Sequence, residues 1–313
     1  MACWLFYSLY KQVKAQPDLP SAIELMRQAP VGPQAWKFWL VVLLSFANWG
    51  IEARKWQLLL KVVQPMGFWR ALRSVLCGVT VSLNTPNRMG EYGGRILYIS
   101  DGNRLKAVSL SIAGGIAQLI VTIVMGCGGL LYLLGQIHPE TGSIFGLSTF
   151  WLKVMLYLSI CGACLLLLFY FRMGWLIRLV EKMPYSHKFS HYIGVLEDFN
   201  AKILLKMLFL SAIRYIVFVI QYIFMLQVMQ VNANLWQSWW IVTVMFWMLA
   251  IVPTFAIADL PIRGQISKSL FSMVSNNALG ILAVTFGIWF INLFIPALAG
   301  SLLILGNKFF KQR

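Results

Sequence analysis

The chain has 313 residues, of which 59% are hydrophobic and 12% charged, and its mean hydropathy is +0.74. So little charge cannot coat a soluble domain of this length, which leaves a polytopic membrane protein, an all-α helix bundle. Lys and Arg outnumber Asp and Glu by 26 to 10. The basic residues lie between apolar runs, which suits loops at an anionic leaflet, so no nucleic-acid partner is expected.

Residues 2–10 are apolar but shorter than the roughly 20 residues a crossing needs, so they read as an interfacial anchor or part of a span begun upstream. Residues 11–34 carry Pro17, Pro20, Pro30 and Pro33 and read as a surface segment with a short amphipathic helix near 22–28. Residues 1–36 thus form an N-terminal segment, and 37–313 a transmembrane domain.

The first span is predicted at 38–60, and from its charged end onward, between Glu52 and Arg73, stand Arg54, Lys55, Lys61, Arg70 and Arg73 against Glu52 alone, a cytoplasmic excess. Later spans are predicted at 105–134, 149–171, 203–229, 235–257 and 278–305. The connections 135–150 and 230–234 contain no Lys or Arg and read as external. Residues 172–206 are rich in both and read as cytoplasmic, with a surface helix over 175–197 interrupted at Pro184. Trp236, Trp239 and Trp240 stand where an interfacial aromatic belt would begin the next span.

Two stretches do not read as plain crossings: 68–100, and 259–274 with Asp259, Pro261, Arg263, Gly264 and Lys268. Backbone breaks at membrane depth persist only inside protein or beside a wet cavity, so each marks a candidate internal site. The first divides into a helix over 68–83, a break at 84–86 and a short helix over 86–99. Pro86 suits a first helical turn, and Asn84 or Thr85 can cap it. The resulting half-helix end would favour an anion, with Arg88 adding charge.

Arg88, Glu91 and Arg95 share a helical face beside Tyr92, while Gly90, Gly93 and Gly94 allow a close neighbour. Glu91 and Arg95 at i, i+4 either pair structurally or present a charge pair to a ligand. Arg214 lies eight residues past Lys206, deep in its span, and needs a partner. Asn48, Glu52 and Lys55 share one face and either line the same cavity or anchor the helix; Gln118, Gln221 and Asn292 suit interhelical hydrogen bonds.

Cys3, Cys77, Cys127, Cys161 and Cys164 all stand in apolar contexts and read as packing residues. His187 and His191 have no third ligand at a suitable spacing, and His138 has no visible partner, so no metal, cofactor or catalytic residue is expected.

The segments "NWGIEARKWQLLLK", "FWRALRSVLCGVTVSLNTPNRMGEYGGR", "LPIRG" and "WFINLFIPALAGSLLIL" together resemble the membrane region of lysylphosphatidylglycerol synthase/flippase proteins. The core of the likeness is Pro86, Arg88, Gly90 and Glu91. Where the family's second motif has a second proline and a second glycine, this chain has Arg263 and Gln265.

The resemblance implies a lipid translocase of the bacterial cytoplasmic membrane, without the soluble domain that charges the lipid. An anionic headgroup would meet Asn84, Thr85, Pro86, Arg88, Gly90, Glu91 and Arg95, with Glu52, Arg214 and Arg263 as further candidates. The expected partners are anionic or aminoacylated phospholipids or a polyprenyl lipid, with a protein partner or homo-oligomer left open. The alternatives are a membrane-embedded enzyme transferring a sugar or headgroup to a lipid, and a non-transporting subunit. Enzymatic chemistry of that kind wants an acid pair or poised base, and the only adjacent acids are Glu197 and Asp198.

Overall fold

The computed structural model describes residues 19–83, 85, 89–136, 143–144, 147–172, 201–252 and 256–311. The expected surface helix over 175–197 therefore lies outside the described residues. Helix α1 (Leu19–Gln28) carries Pro20 in its first turn, where the missing N–H costs nothing. Then come α2 (Ala35–Leu59), α3 (Phe68–Ser82), α4 (Gly90–Arg95), α5 (Arg104–Gln136) and α6 (Thr149–Phe171). They are followed by α7 (Ala201–Val228), α8 (Leu235–Ile251), α9 (Ala256–Phe271), α10 (Ala278–Trp289) and α11 (Ile295–Lys311). The described strands are a two-residue pairing, Ser143↔Ser148 and Ile144↔Leu147, so the fold is all-α as expected.

Four described helices are long and apolar enough to cross a membrane: Asp101–Gln136, Thr149–Phe171, Ala201–Val228 and Ala278–Gly306. They answer the spans expected at 105–134, 149–171, 203–229 and 278–305. The span expected at 38–60 is the helix α2. Side chains cap two starts as sequence position suggests: Asn234 accepts from the Trp236 N–H, and Asn277 from the Gly280 N–H at 2.8 Å.

The structure corrects two boundaries. The span expected over 235–257 ends at Ile251, because Val252 precedes Pro253 and is pushed to an extended conformation (φ −77°, ψ 114°). The stretch 259–274, expected to be interrupted, is continuous helix through Phe271. Pro261 removes one N–H from α9, but the Asp259–Arg263 pair one turn apart spans it, and packing against α8 and α10 holds the rest.

A further irregularity was not foreseen. Residues Phe290–Phe294 form a π-helical turn joining α10 to α11. There the Ile295 N–H reaches back to the Phe290 carbonyl, and Pro296 has no N–H to give the Ile291 carbonyl. The Ser45 hydroxyl supplies that donor at 3.3 Å.

The chain gathers into two compact units. One comprises Met1–Ala47, Met125–Leu158 and Ile216–Ile295. Its core includes Val41, Val219, Tyr222, Val242, Phe271 and Val284, and the buried Gln221 amide donates to the Val41 carbonyl at 2.8 Å, an interhelical bond as expected. The other comprises Asn48–Val124, Ser159–Tyr215 and Pro296–Arg313, with Trp56, Leu60, Val75, Ala107, Leu110 and Met207 fully buried. In it, Thr80 donates to the Ala297 carbonyl at 2.7 Å where Gly300 lets α11 approach α3. Cys77 and Cys127 are buried as packing residues, whereas Cys161 and Cys164 are exposed on α6, contrary to expectation.

Candidate functional site

The C-terminal half of α2 places Asn48, Glu52 and Lys55 on one helical face, and in the second unit that face is buried. Burying a carboxylate costs several kcal/mol unless cations and donors surround it. Glu52, 6% exposed, has both. Its Oε1 accepts from Arg95 Nη2 of α4 at 2.7 Å, and its Oε2 accepts from Arg214 Nη1 of α7 at 2.8 Å and from Lys55 Nζ at 3.3 Å. One acid thus ties α2, α4 and α7 together. Arg214 Nε also donates to Asn48 Oδ1 at 2.7 Å, giving the deep arginine its partners.

Aromatic rings and a hydroxyl complete the setting. The Arg95 guanidinium lies 5.3 Å from the Trp56 ring centre and that of Arg214 5.4 Å from Trp49. Ser74 of α3 donates to the Arg95 carbonyl at 2.7 Å and accepts from the Trp56 indole N–H at 2.9 Å. Trp49, Trp56 and Ser74 were not among the expected residues. The two tryptophans carry a signal in hindsight, since they stand three before and four after Glu52 and share its face. Ser74 has none, because its partners are distant in sequence.

Helix α4 reaches the cluster because glycines remove side chains from its contact with α3. A Cβ on Gly90 would lie 2.5 Å from the Val81 carbonyl, and one on Gly94 would collide with the Cys77 carbonyl and Gly78 Cα. The expected close approach therefore runs through Gly90 and Gly94, while Gly93 faces open space. Thr85 Oγ1 accepts from the Gly90 N–H at 2.7 Å, while the residue at the N-cap of α4, Met89, makes no side-chain capping bond. The described helix starts at Gly90, and its first N–H is taken by that side chain. Asn84, Pro86 and Arg88 lie outside the described residues.

Glu91 pairs with Arg95 one turn later, so the i, i+4 contact forms. Its side chain is 30% exposed against 7% for Glu52. Arg263 belongs to the other unit, where it pairs with Asp259 at 2.9 Å. There Tyr222 forms a separate buried hydroxyl cluster with Thr285 at 2.8 Å and Ser267 at 3.4 Å.

At formal charges, Lys55, Arg95 and Arg214 face Glu52 and Glu91, an excess of one positive charge among the described residues. Three buried donors of the cluster, Arg95 Nε, Asn48 Nδ2 and Trp49 Nε1, have no acceptor among the described residues. An unmet buried donor costs about 1–3 kcal/mol, and an anionic oxygen would relieve it.

No curated protein matches the chain. The family described as the lysylphosphatidylglycerol synthase TM region matches residues 15–300. With nearly its whole length matched, and with its apolar helices long enough to cross a bilayer, the chain belongs to that membrane-protein family.

Proposed function

We propose that the protein is a non-enzymatic lipid translocase that holds an anionic headgroup at the Glu52-centred cluster while its acyl chains stay in the bilayer. The observation carrying this reading is a buried, cation-rich cluster with donors left over at Arg95, Asn48 and Trp49. Intramembrane charge is expensive and persists where it serves a substrate path. Here Glu52 keeps Arg95 and Arg214 assembled, and the spare donors supply affinity for a phosphate oxygen.

The test uses purified protein in liposomes with labelled phosphatidylglycerol and phosphatidylcholine. Transbilayer movement of phosphatidylglycerol should exceed that in empty vesicles, and Arg95→Gln should slow it by about tenfold, the loss of one charge-assisted hydrogen bond. Movement no faster than in empty vesicles overturns the proposal. Chemical conversion of the headgroup would instead establish an enzyme.

A further inference from the structure

Among the described residues, Arg95 makes both of its ion pairs through one nitrogen. Nη2 donates to Glu52 Oε1 at 2.7 Å and also to Glu91 Oε1. The guanidinium fork has five donors suited to two-pronged recognition of an oxyanion, yet Nε is buried and has no acceptor among the described residues. The fork is underused on that edge.

The two carboxylates on that nitrogen are not equivalent. Glu52 also accepts from Lys55 and Arg214 and is 7% exposed at its side chain, so three cations hold it. Glu91 has Arg95 as its ion-pair partner among the described residues, sits on the six-residue helix α4 and is 30% exposed. Displacing Glu52 would strip three cations of their shared acid. Displacing Glu91 breaks one pair and returns a carboxylate to a partly exposed setting.

We infer that Glu91 is a built-in placeholder for the ligand: its carboxylate occupies the anion seat on Arg95, and an incoming phosphate group displaces it and takes the Nε edge. This rests on the proposed headgroup site and deepens it, because the resting protein then carries its own competitor and releases Glu91 on binding. The opposite role for Glu91, attraction of a positively charged headgroup, makes the reverse prediction for its neutral variant.

The experiment measures binding of short-chain phosphatidylglycerol, short-chain phosphatidylcholine and inorganic phosphate to the purified full chain, wild type against Glu91→Gln. Removing the competitor should tighten phosphatidylglycerol binding by about tenfold, the order expected for one exposed-to-buried ion pair. Unchanged or weaker binding by Glu91→Gln overturns the inference. If that variant does not fold, Glu91→Asp serves, since its shorter reach should give a smaller gain of the same sign; no gain overturns the inference. A gain seen with inorganic phosphate but not with the phospholipid supports displacement and overturns the lipid reading. Translocation by the wild type without a gain in Glu91→Gln overturns the placeholder and leaves the translocase reading standing.

Discussion

Glu52 and Ser74 show how differently two buried residues can matter. Replacing Glu52 with Gln removes the acid shared by Lys55, Arg95 and Arg214, and leaves Lys55 without its ion-pair partner among the described residues. Breaking a buried pair from one side typically costs about 3–5 kcal/mol, so Glu52→Gln should lower the melting temperature in detergent strongly. Lys55→Met should cost less, since Glu52 keeps two arginines. Ser74 is a smaller, cleaner case: Ser74→Ala loses the bond to the Arg95 carbonyl and strands the Trp56 N–H, about 1–3 kcal/mol. Adding Trp56→Phe removes the stranded donor and should return part of that loss. If the double variant melts below Ser74→Ala by the full cost of Trp56→Phe alone, the two residues are uncoupled.

At the level of elements, the contact of α3 with α4 decides whether Arg95 reaches Glu52. The facing pairs run in opposite order, Cys77 and Gly78 against Gly94 and Arg95, then Val81 against Gly90, so the two helices are antiparallel. Gly94→Val should force them apart and destabilise the protein by at least the 1–3 kcal/mol of overpacking. Gly93→Ala meets nothing within 4 Å and should be neutral or stabilising by a few tenths of a kcal/mol. A thermal scan of both variants checks the contrast, and equal losses would sink it. This arrangement was partly legible in advance: three glycines in five residues announce a close neighbour, but which of them faces α3 depends on helix phase. The continuity of α9 was not legible, because a proline, a glycine and three charges in ten residues read as a break unless the packing of α8 and α10 is known.

Across the whole molecule, the apolar runs were legible because hydropathy over some 20 residues reports length directly, whereas Ser74 and the π-helical turn depend on tertiary partners that local pattern does not contain. Membrane orientation follows from charge and can be tested against the helix lengths. With Arg54, Lys55 and Lys61 at its end, α2 should finish in the cytoplasm, and the uncharged connection after α7 should lie outside. If α5, α6 and α7, each long and apolar enough to cross, make three crossings between them, α3 and α4 must together return to the side they left. Their lengths agree: 15 and six residues span about 22 Å and about 9 Å, short of the roughly 30 Å core, and they are antiparallel. In a chain with its native cysteines replaced, Asn232→Cys should therefore react with a membrane-impermeant maleimide on intact cells. Lys61→Cys, exposed like Asn232, should react only after permeabilisation. Labelling of both positions from the same side would mean that α3 and α4 make a net crossing, and Arg95 would then approach Glu52 from a segment that spans the bilayer instead of one that dips into it.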